Sequence, residues 1–251
     1  MGTRMRDLLG GARGALRYER TDKRLRVDLA GEPVADTTDG LLVWEPDRVV
    51  PSYAVPVSDV AARLEPAHTA AGPSHTCAGS AFDVITGGRQ RTAAAFRADD
   101  PDLADHVILD FAAFEWREED EPIVGHPHDP YHRIDILPSS RQVRVEWDGR
   151  VLAESRRPLL LFETLLPVRF YLPRDDIAVE LQPSDTVTHC AYKGRASYFS
   201  VPGGPPDLAW SYPQPLREAE PVRDRIAFFD ERVDTIVDGE HRPRPLTPWS
   251  R

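Results

Sequence analysis

The chain has 251 residues, of which 41% are hydrophobic, and a formal net charge of −10. This composition predicts a folded protein with a buried core, and the acidic balance argues against general affinity for a nucleic-acid backbone. Two cysteines, Cys77 and Cys190, are too few for a disulfide framework or a four-cysteine zinc site, and 24 scattered prolines favour short strands over long helices.

The N-terminal residues 1–20 carry several arginines but lack the apolar stretch of a secretory signal. We expect a mobile basic tail or a short first helix there. No apolar stretch approaches the roughly 20 residues that cross a bilayer. The sequence therefore predicts no membrane partner and, by default, a cytoplasmic location.

The chain resembles itself at a spacing of 118 residues. "VDLAGEPVADTTDGLLVWEP" (27–46) aligns with "VEWDGRVLAESRRPLLLFET" (145–164), and six of the twenty positions are identical. "YAVPVSDV" (53–60) matches "FYLPRDDI" (170–177), and "SHTCAGSAFDV" (74–84) falls where "THCAYKGRASYFSV" (188–201) falls. A spacing this long indicates a duplicated domain rather than a solenoid repeat.

The predicted organisation has five parts. Residues 1–20 form a tail, 21–122 a first β domain, 123–138 a linker, 139–240 a second β domain and 241–251 a proline-rich tail. Within the second copy, "VRVEWDG" alternates apolar and polar residues and ends in Asp148-Gly149, which predicts a hairpin. "PLLLFET" predicts a short buried strand, and Asp175-Asp176 after Pro173 predicts one helical turn.

Four stretches of the second copy carry a family resemblance: "DGRVLAESRRPLLLFETLLPVRFYLPRDDI", "THCAYKGRASYFSV", "DLAWSYPQPL" and "IAFFDERVD". In this order they resemble the domain-of-unknown-function 427 family, as a tandem member with a divergent first copy. The resemblance implies a mainly β fold of two β-tent-like domains, each built from short, coiled antiparallel sheets, but no established activity. Some relatives of this fold hold zinc through paired CxxC motifs, which are absent here. Leu165 and Ala191 depart from the family pattern, which has Gly and Pro there.

The adjacent pair His189-Cys190 suggests a thiolate–imidazole dyad, but neighbouring residues of a strand point to opposite faces. We therefore expect Cys190 to be a small buried residue and His189 to be an acid/base or hydrogen-bonding residue. In the first copy, the spacing of His75 and Cys77 would put both on one face of a strand. That copy lacks counterparts of Tyr192 and Lys193, so we expect the working site in the second copy. The alternative is that each copy contributes one wall of a shared cleft.

Charged and aromatic residues of the second copy complete the predicted site. Arg169 and Lys193 would hold an anionic group, and Glu163 would be the carboxylate partner of His189 or of Arg169. The remaining predicted ligand-binding residues are the aromatics Tyr171, Tyr192, Tyr198, Trp210 and Tyr212. Core packing, a solvated turn lysine and a structural ion pair are the alternatives for these positions.

The linker "HPHDPYHRID" contains three histidines, His126, His128 and His132, which are enough to bind a metal ion. A loop packed against the next domain is the simpler explanation. We therefore predict no cofactor. The leading hypothesis is a protein that binds an anionic small molecule in its second domain, with acid/base catalysis open. The rivals are a non-catalytic protein-interaction module and a metal-dependent enzyme that uses the linker histidines.

Overall fold

The structure is a computed structural model that describes residues 2–68, 74–247 and 250. The chain divides into two compact units, Met1–Asp129 and Pro130–Arg251. We call them the first and the second domain. Among the described residues, no helix has the length and apolar character needed to cross a membrane.

The first domain is built mainly from antiparallel strands. Its elements are α1 Met5–Gly11, β1 Arg17–Thr21, β2 Leu25–Leu29, β3 Glu32–Thr37, β4 Gly40–Trp44, β5 Ser52–Pro56, β6 Arg63–Pro66, β7 Gly79–Thr86, β8 Arg89–Ala98, β9 His106–Leu109, β10 Glu115–Glu118 and β11 Glu121–Ile123, with short 3-10 helices at Val57–Asp59, Pro101–Leu103 and Phe111–Ala113. One sheet has the strand order β1-β4-β5-β9-β8-β7-β6, and the other has the order β11-β10-β2-β3.

The second domain is also mainly β. Its elements are β12 Ile134–Pro138, β13 Val143–Trp147, β14 Arg150–Ser155, β15 Leu159–Glu163, β16 Arg169–Tyr171, β17 Gln182–Cys190, β18 Gly194–Ser200, β19 Ala209–Pro215, β20 Ala227–Phe228, β21 Asp234–Val237 and β22 Glu240–His241, with 3-10 helices at Arg174–Asp176 and Arg217–Val222. Its sheets have the orders β12-β15-β16, β17-β18-β19-β20 and β14-β13-β21-β22. An isolated bridge between Leu172 and Ile226 connects the first two sheets beside β16 and β20.

The two domains share one topology, which confirms the internal duplication. With the bridge as the joint, the order β12-β15-β16-β20-β19-β18-β17 repeats the seven-stranded order of the first domain. Local details repeat as well. The hydroxyl of Thr37 donates to Asp59 at 2.6 Å, and the hydroxyl of Ser155 donates to Asp176 at the same distance. The predicted mainly β fold is therefore correct.

The hairpin between β13 and β14 forms where the sequence predicts it. Asp148 and Gly149 connect the strands with φ angles of 49° and 73°, as a type I′ turn requires. The equivalent turn of the first domain uses Ala30 and Gly31, with φ angles of 52° and 84°. The predicted buried strand is β15, and the predicted helical turn is the 3-10 helix at Arg174–Asp176.

Regular structure extends into segments predicted as tail and linker. Helix α1 and most of β1 lie within residues 1–20, and β12 lies within residues 123–138. Strand β12 pairs with β15 along its whole length. Ile134 and Ile136 pack against the apolar cluster that includes Leu159 and Leu161, which explains why this segment joins the sheet. The same pairing holds the segment just before β12 close to the end of β15.

Candidate functional site

Glu163 is the centre of a polar cluster in the second domain. It is the last residue of β15, and its side chain is 9% exposed. The Nζ atom of Lys193, in the turn between β17 and β18, donates to both carboxylate oxygens at 2.6 Å. Nε2 of His132, two residues before β12, lies 3.0 Å from Oε1. The carboxylate thus contacts an ammonium and an imidazole from two other parts of the domain.

The surroundings of Glu163 keep its carboxyl ionised. Burial raises its pKa, but the hydrogen bond from His132 and the charge and hydrogen bond of Lys193 have the larger, opposite effect and lower the pKa to about 2. An ionised carboxylate accepts only, so neutral His132 must carry its proton on Nε2. The imidazole also stacks on the ring of Tyr192, with centroids 4.5 Å apart. These contacts fix both the tautomer and the orientation of the ring.

Arg169 belongs to a different cluster, so its predicted pairing with Glu163 is wrong. Its guanidinium donates to both oxygens of Glu231 at 2.8 and 2.5 Å, and to Asp230 at 3.2 Å. It also lies 5.6 Å from the ring centroid of Trp210. The sequence suggested Glu163 because it lies only a few residues before Arg169, whereas the fold brings the loop after β20 to Arg169.

Most of the aromatics predicted as pocket walls are packed in the core of the second domain. Tyr171, Trp210 and Tyr212 are buried in one apolar cluster, and Tyr198 packs against it. Nε1 of Trp210 donates to the hydroxyl of Tyr171 at 3.1 Å. The hydroxyl of Tyr198 lies 2.8 Å from that of Thr188. This is the packing alternative considered for these residues, and Tyr192 differs because its ring contacts His132.

His189 and Cys190 occupy the end of β17, as the strand pattern predicts. His189 is exposed and lies opposite Arg195 on β18, while Cys190 is half-buried. Glu163, the predicted carboxylate partner of His189, is bonded to His132 and Lys193 instead. Glu163, Arg169, His189 and Lys193, which the predicted site would bring together, therefore separate into an exposed histidine, the Arg169 cluster and the cluster of Glu163 with Lys193.

The first domain has a carboxylate at the equivalent position, immediately after β4. Glu45 is 4% exposed and accepts from Nδ1 of His75 at 2.9 Å and from the backbone N–H of Thr76 at 2.7 Å. The imidazole stacks on Phe96, with centroids 3.7 Å apart. Glu45 therefore also forms a carboxylate–imidazole pair, but its donors come from the loop before β7.

Cys77 lies beside the same carboxylate. The expectation that it shares a strand face with His75 is wrong, because both residues precede β7. Its Sγ atom lies 3.8 Å from Oε2 of Glu45. Burial, with the charge and hydrogen bond of Glu45, raises the pKa of the thiol to about 11. Cys77 is thus a neutral thiol at physiological pH and a poor nucleophile.

The three linker histidines have separate contacts. Nδ1 of His126 lies 2.8 Å from the carbonyl of Pro127, Nδ1 of His128 lies 3.2 Å from Glu118, and Nε2 of His132 contacts Glu163. Across residues 2–68, 74–247 and 250, no group of three or more His, Cys, Asp or Glu side chains is arranged to hold a metal ion.

A further buried carboxylate, not anticipated from the sequence, lies at the end of β10. Glu118 accepts from Nζ of Lys23 at 2.6 Å, from the hydroxyl of Tyr53 at 2.7 Å and from the backbone N–H of His128 at 3.1 Å. Burial raises the pKa of the carboxyl, but hydrogen bonds from His128, Lys23 and Tyr53 and the charge of Lys23 lower it to about 2. The only sequence signal was its place on an alternating strand, where a buried acid needs partners.

The fold and the site define a duplicated, mainly β protein with a buried carboxylate at the end of the same strand in each copy. A family model described as "Domain of unknown function (DUF427)" matches residues 17–125 and again residues 135–239. The chain therefore belongs to this family as a tandem two-copy member, as the sequence motifs indicated. No curated protein matches the chain.

Proposed function

We propose that the second domain binds a small anionic molecule at the cluster of Glu163, Lys193, His132 and Tyr192, and that His132 exchanges a proton with it. The observation that carries the proposal is the 3.0 Å contact between His132 and a buried carboxylate. The side chain of His132 is 15% exposed, so the imidazole is held in place while part of its surface remains accessible.

The chemistry follows from the tautomer. Since Nε2 donates to Glu163, the nitrogen left to act as a base is Nδ1, which makes no hydrogen bond within the described part of the chain. A carboxylate behind an imidazole orients the ring and stabilises the imidazolium after proton transfer. Tyr192 restricts the ring further by stacking on it. His132 thus has the support that a general base requires.

The charge of the cluster favours an anionic ligand. Lys193 donates to both oxygens of Glu163, so these two charges cancel within the cluster. Protonation of His132 then gives the cluster a net positive charge, which an anionic group of the ligand would balance. Arg169 is excluded from this proposal because two internal carboxylates bind its guanidinium.

The test compares two histidines of the same domain. Native mass spectrometry of freshly purified protein would identify a retained ligand, and ligand-detected NMR with a panel of small carboxylic acids would measure affinity. We expect His132→Ala to weaken binding by about tenfold or more, as the loss of a charge-assisted hydrogen bond implies. The matched control His189→Ala, on an exposed side chain, should change affinity by less than about twofold. Equal effects of the two variants, or no effect of His132→Ala, would refute the proposal.

A second candidate, a protein-interaction surface, is favoured by β17. This nine-residue strand is at the edge of its sheet, and most of its residues are exposed, with Val187 at 38%. Edge strands can pair with an extended segment of a partner. A photo-crosslinking residue at position 186 should then capture a discrete partner in cells, and Val187→Lys should abolish the adduct. Failure to form an adduct, or an adduct unchanged by Val187→Lys, argues against this role.

A further inference from the structure

Within the described part of the first domain, some arginines have no carboxylate partner in an ion pair. The chain has 41 acidic residues against 31 basic ones, so acids outnumber the cations that they can pair with. Arg20, Arg24 and Arg26 each pair with an aspartate. Arg17 and Arg48, in contrast, form no ion pair within the described residues, and their hydrogen bonds go to backbone carbonyls.

The Arg17 side chain contacts the loop that follows β4, and Arg48 belongs to this loop. Nη2 of Arg17 donates to the carbonyl of Arg48 at 3.1 Å and lies 3.5 Å from the carbonyl of Glu45. The guanidinium of Arg48 donates to the carbonyl of Ser74, the residue before His75. Both guanidinium groups are therefore held against the segments that carry the Glu45–His75 pair.

Positive charge in this region is only partly balanced. Burial and the charge of Arg13 lower the pKa of Arg17, and the exposed Asp47 opposes them only in part. The Glu45 carboxylate also lies close by, but its oxygens are occupied by His75, by the Thr76 N–H and by the thiol of Cys77.

Guanidinium groups that share their N–H donors with backbone carbonyls keep further donors for a ligand. Their planar fork matches the oxygens of phosphate, and two fixed positive charges balance a dianion. His75 adds a third potential donor. Because Glu45 holds its Nδ1 at 2.9 Å, Nε2 is the nitrogen that a ligand can contact, and it donates when the ring is protonated.

We propose that the first domain binds a phosphate group between the guanidinium groups of Arg17 and Arg48, beside the imidazole of His75. This site goes beyond the proposed function, which concerns the second domain. It also places an anion in the first copy, whereas the sequence predicted the working site in the second. A phosphomonoester and a phospholipid headgroup offer the same chemistry, and the experiment separates these two sources.

The probes are inorganic phosphate and glycerol 3-phosphate, titrated by ³¹P NMR into the full chain, and vesicles with and without phosphatidic acid in a sedimentation assay. We expect Arg48→Gln and Arg17→Gln each to weaken phosphate binding about tenfold or more, and affinity to fall as salt rises. The matched control is Arg89→Gln, an exposed arginine at the hairpin end of β8, which should change affinity by less than about twofold.

Arg17 also supports the loop, so Arg17→Lys is a second variant that retains the charge and removes the fork. It should bind phosphate more weakly than the natural chain but better than Arg17→Gln. Binding to vesicles alone, lost in Arg48→Gln, identifies a lipid as the source of the phosphate. No binding of either probe, or equal binding by Arg48→Gln and Arg89→Gln in proteins with unchanged unfolding midpoints, overturns the proposal. His132→Ala should leave phosphate binding unchanged, which separates this result from the fate of the second-domain site.

Discussion

Replacing Lys193 by methionine tests whether the Glu163 cluster is held by its buried ion pair. The two side chains are 10% and 9% exposed, and Nζ contacts both carboxylate oxygens at 2.6 Å. Lys193→Met keeps most of the apolar stem but leaves a buried carboxylate with His132 as its remaining side-chain donor. Breaking such a pair from one side is more damaging than removing both charges.

The magnitude follows from the carboxyl of Glu163. Its pKa falls from the ordinary 4.5 to about 2, which corresponds to about 3 kcal/mol of stabilisation of the ionised form. Burial acts against this shift, and His132 and Lys193 both contribute to it. We therefore expect Lys193→Met to lower the free energy of unfolding of the second domain by about 2 kcal/mol at pH 7. The pKa of Glu163 should rise in the variant, so the loss should be smaller at pH 4, where the carboxyl can take up a proton.

The assay must resolve the two domains, since a two-domain chain need not unfold in one step. Pulsed hydrogen exchange across a urea series reads the midpoint of second-domain peptides separately from those of the first. The double variant Lys193→Met with Glu163→Gln removes both charges and should regain part of the loss. An unchanged midpoint for Lys193→Met, or a double variant that loses the sum of both single effects, would show that the pair does not stabilise the fold in this way.

Three further predictions concern the other polar clusters. ¹⁵N NMR of the neutral histidines should find the proton of His75 on Nδ1, which donates to Glu45, and that of His132 on Nε2, which donates to Glu163. The same tautomer at both histidines would contradict the geometry. The pKa of Glu118 falls from 4.5 to about 2, so this carboxylate stabilises the first domain by up to about 3 kcal/mol above pH 4.5, and this contribution is lost as the pH falls towards 2. In acid denaturation, Glu118→Gln should therefore make the stability of the first domain depend less on pH between about pH 5 and about pH 2. An unchanged pH dependence would count against this prediction. Because the thiol pKa of Cys77 is about 11, Cys77 should react slowly with iodoacetamide at about pH 7.5, and it should react faster in the Glu45→Gln variant. A rate like that of a free thiol would contradict the raised pKa.

The fold could be predicted further than the site because repetition and turn chemistry are local signals. Asp148-Gly149 marks its hairpin directly, and Leu159–Glu163 is recognisable as a buried strand from its apolar run. The limits of the domains and the linker were harder to predict. Ile134–Pro138 lies in a proline- and histidine-rich stretch, yet it pairs with β15, because cross-strand pairing and burial against the second-domain core depend on residues far away in the sequence.

The site depended on pairings that sequence distance does not reveal. Lys193 lies in the turn that the sequence indicates, but its partner Glu163 is thirty residues earlier. His132 was considered only as a metal ligand, although its position before a strand that pairs with β15 brings it to Glu163. For Arg169 the acid a few residues earlier in the sequence was the wrong partner, since the fold brings Glu231 to it from the loop after β20.

Comparison of the two copies shows which part of the site the fold specifies. Glu45 follows β4 directly and Glu163 ends the equivalent strand β15; each side chain is buried, so each must be supplied with donors. The donors are not equivalent: His75 comes from the loop before β7, whereas His132 comes from the segment before β12. The fold thus fixes the carboxylate, and the loops decide which imidazole nitrogen and which cation accompany it. The carboxylate alone therefore identifies no activity. The two domains should be assayed for different ligands, one bound beside Lys193 and His132 and the other beside Arg17 and Arg48.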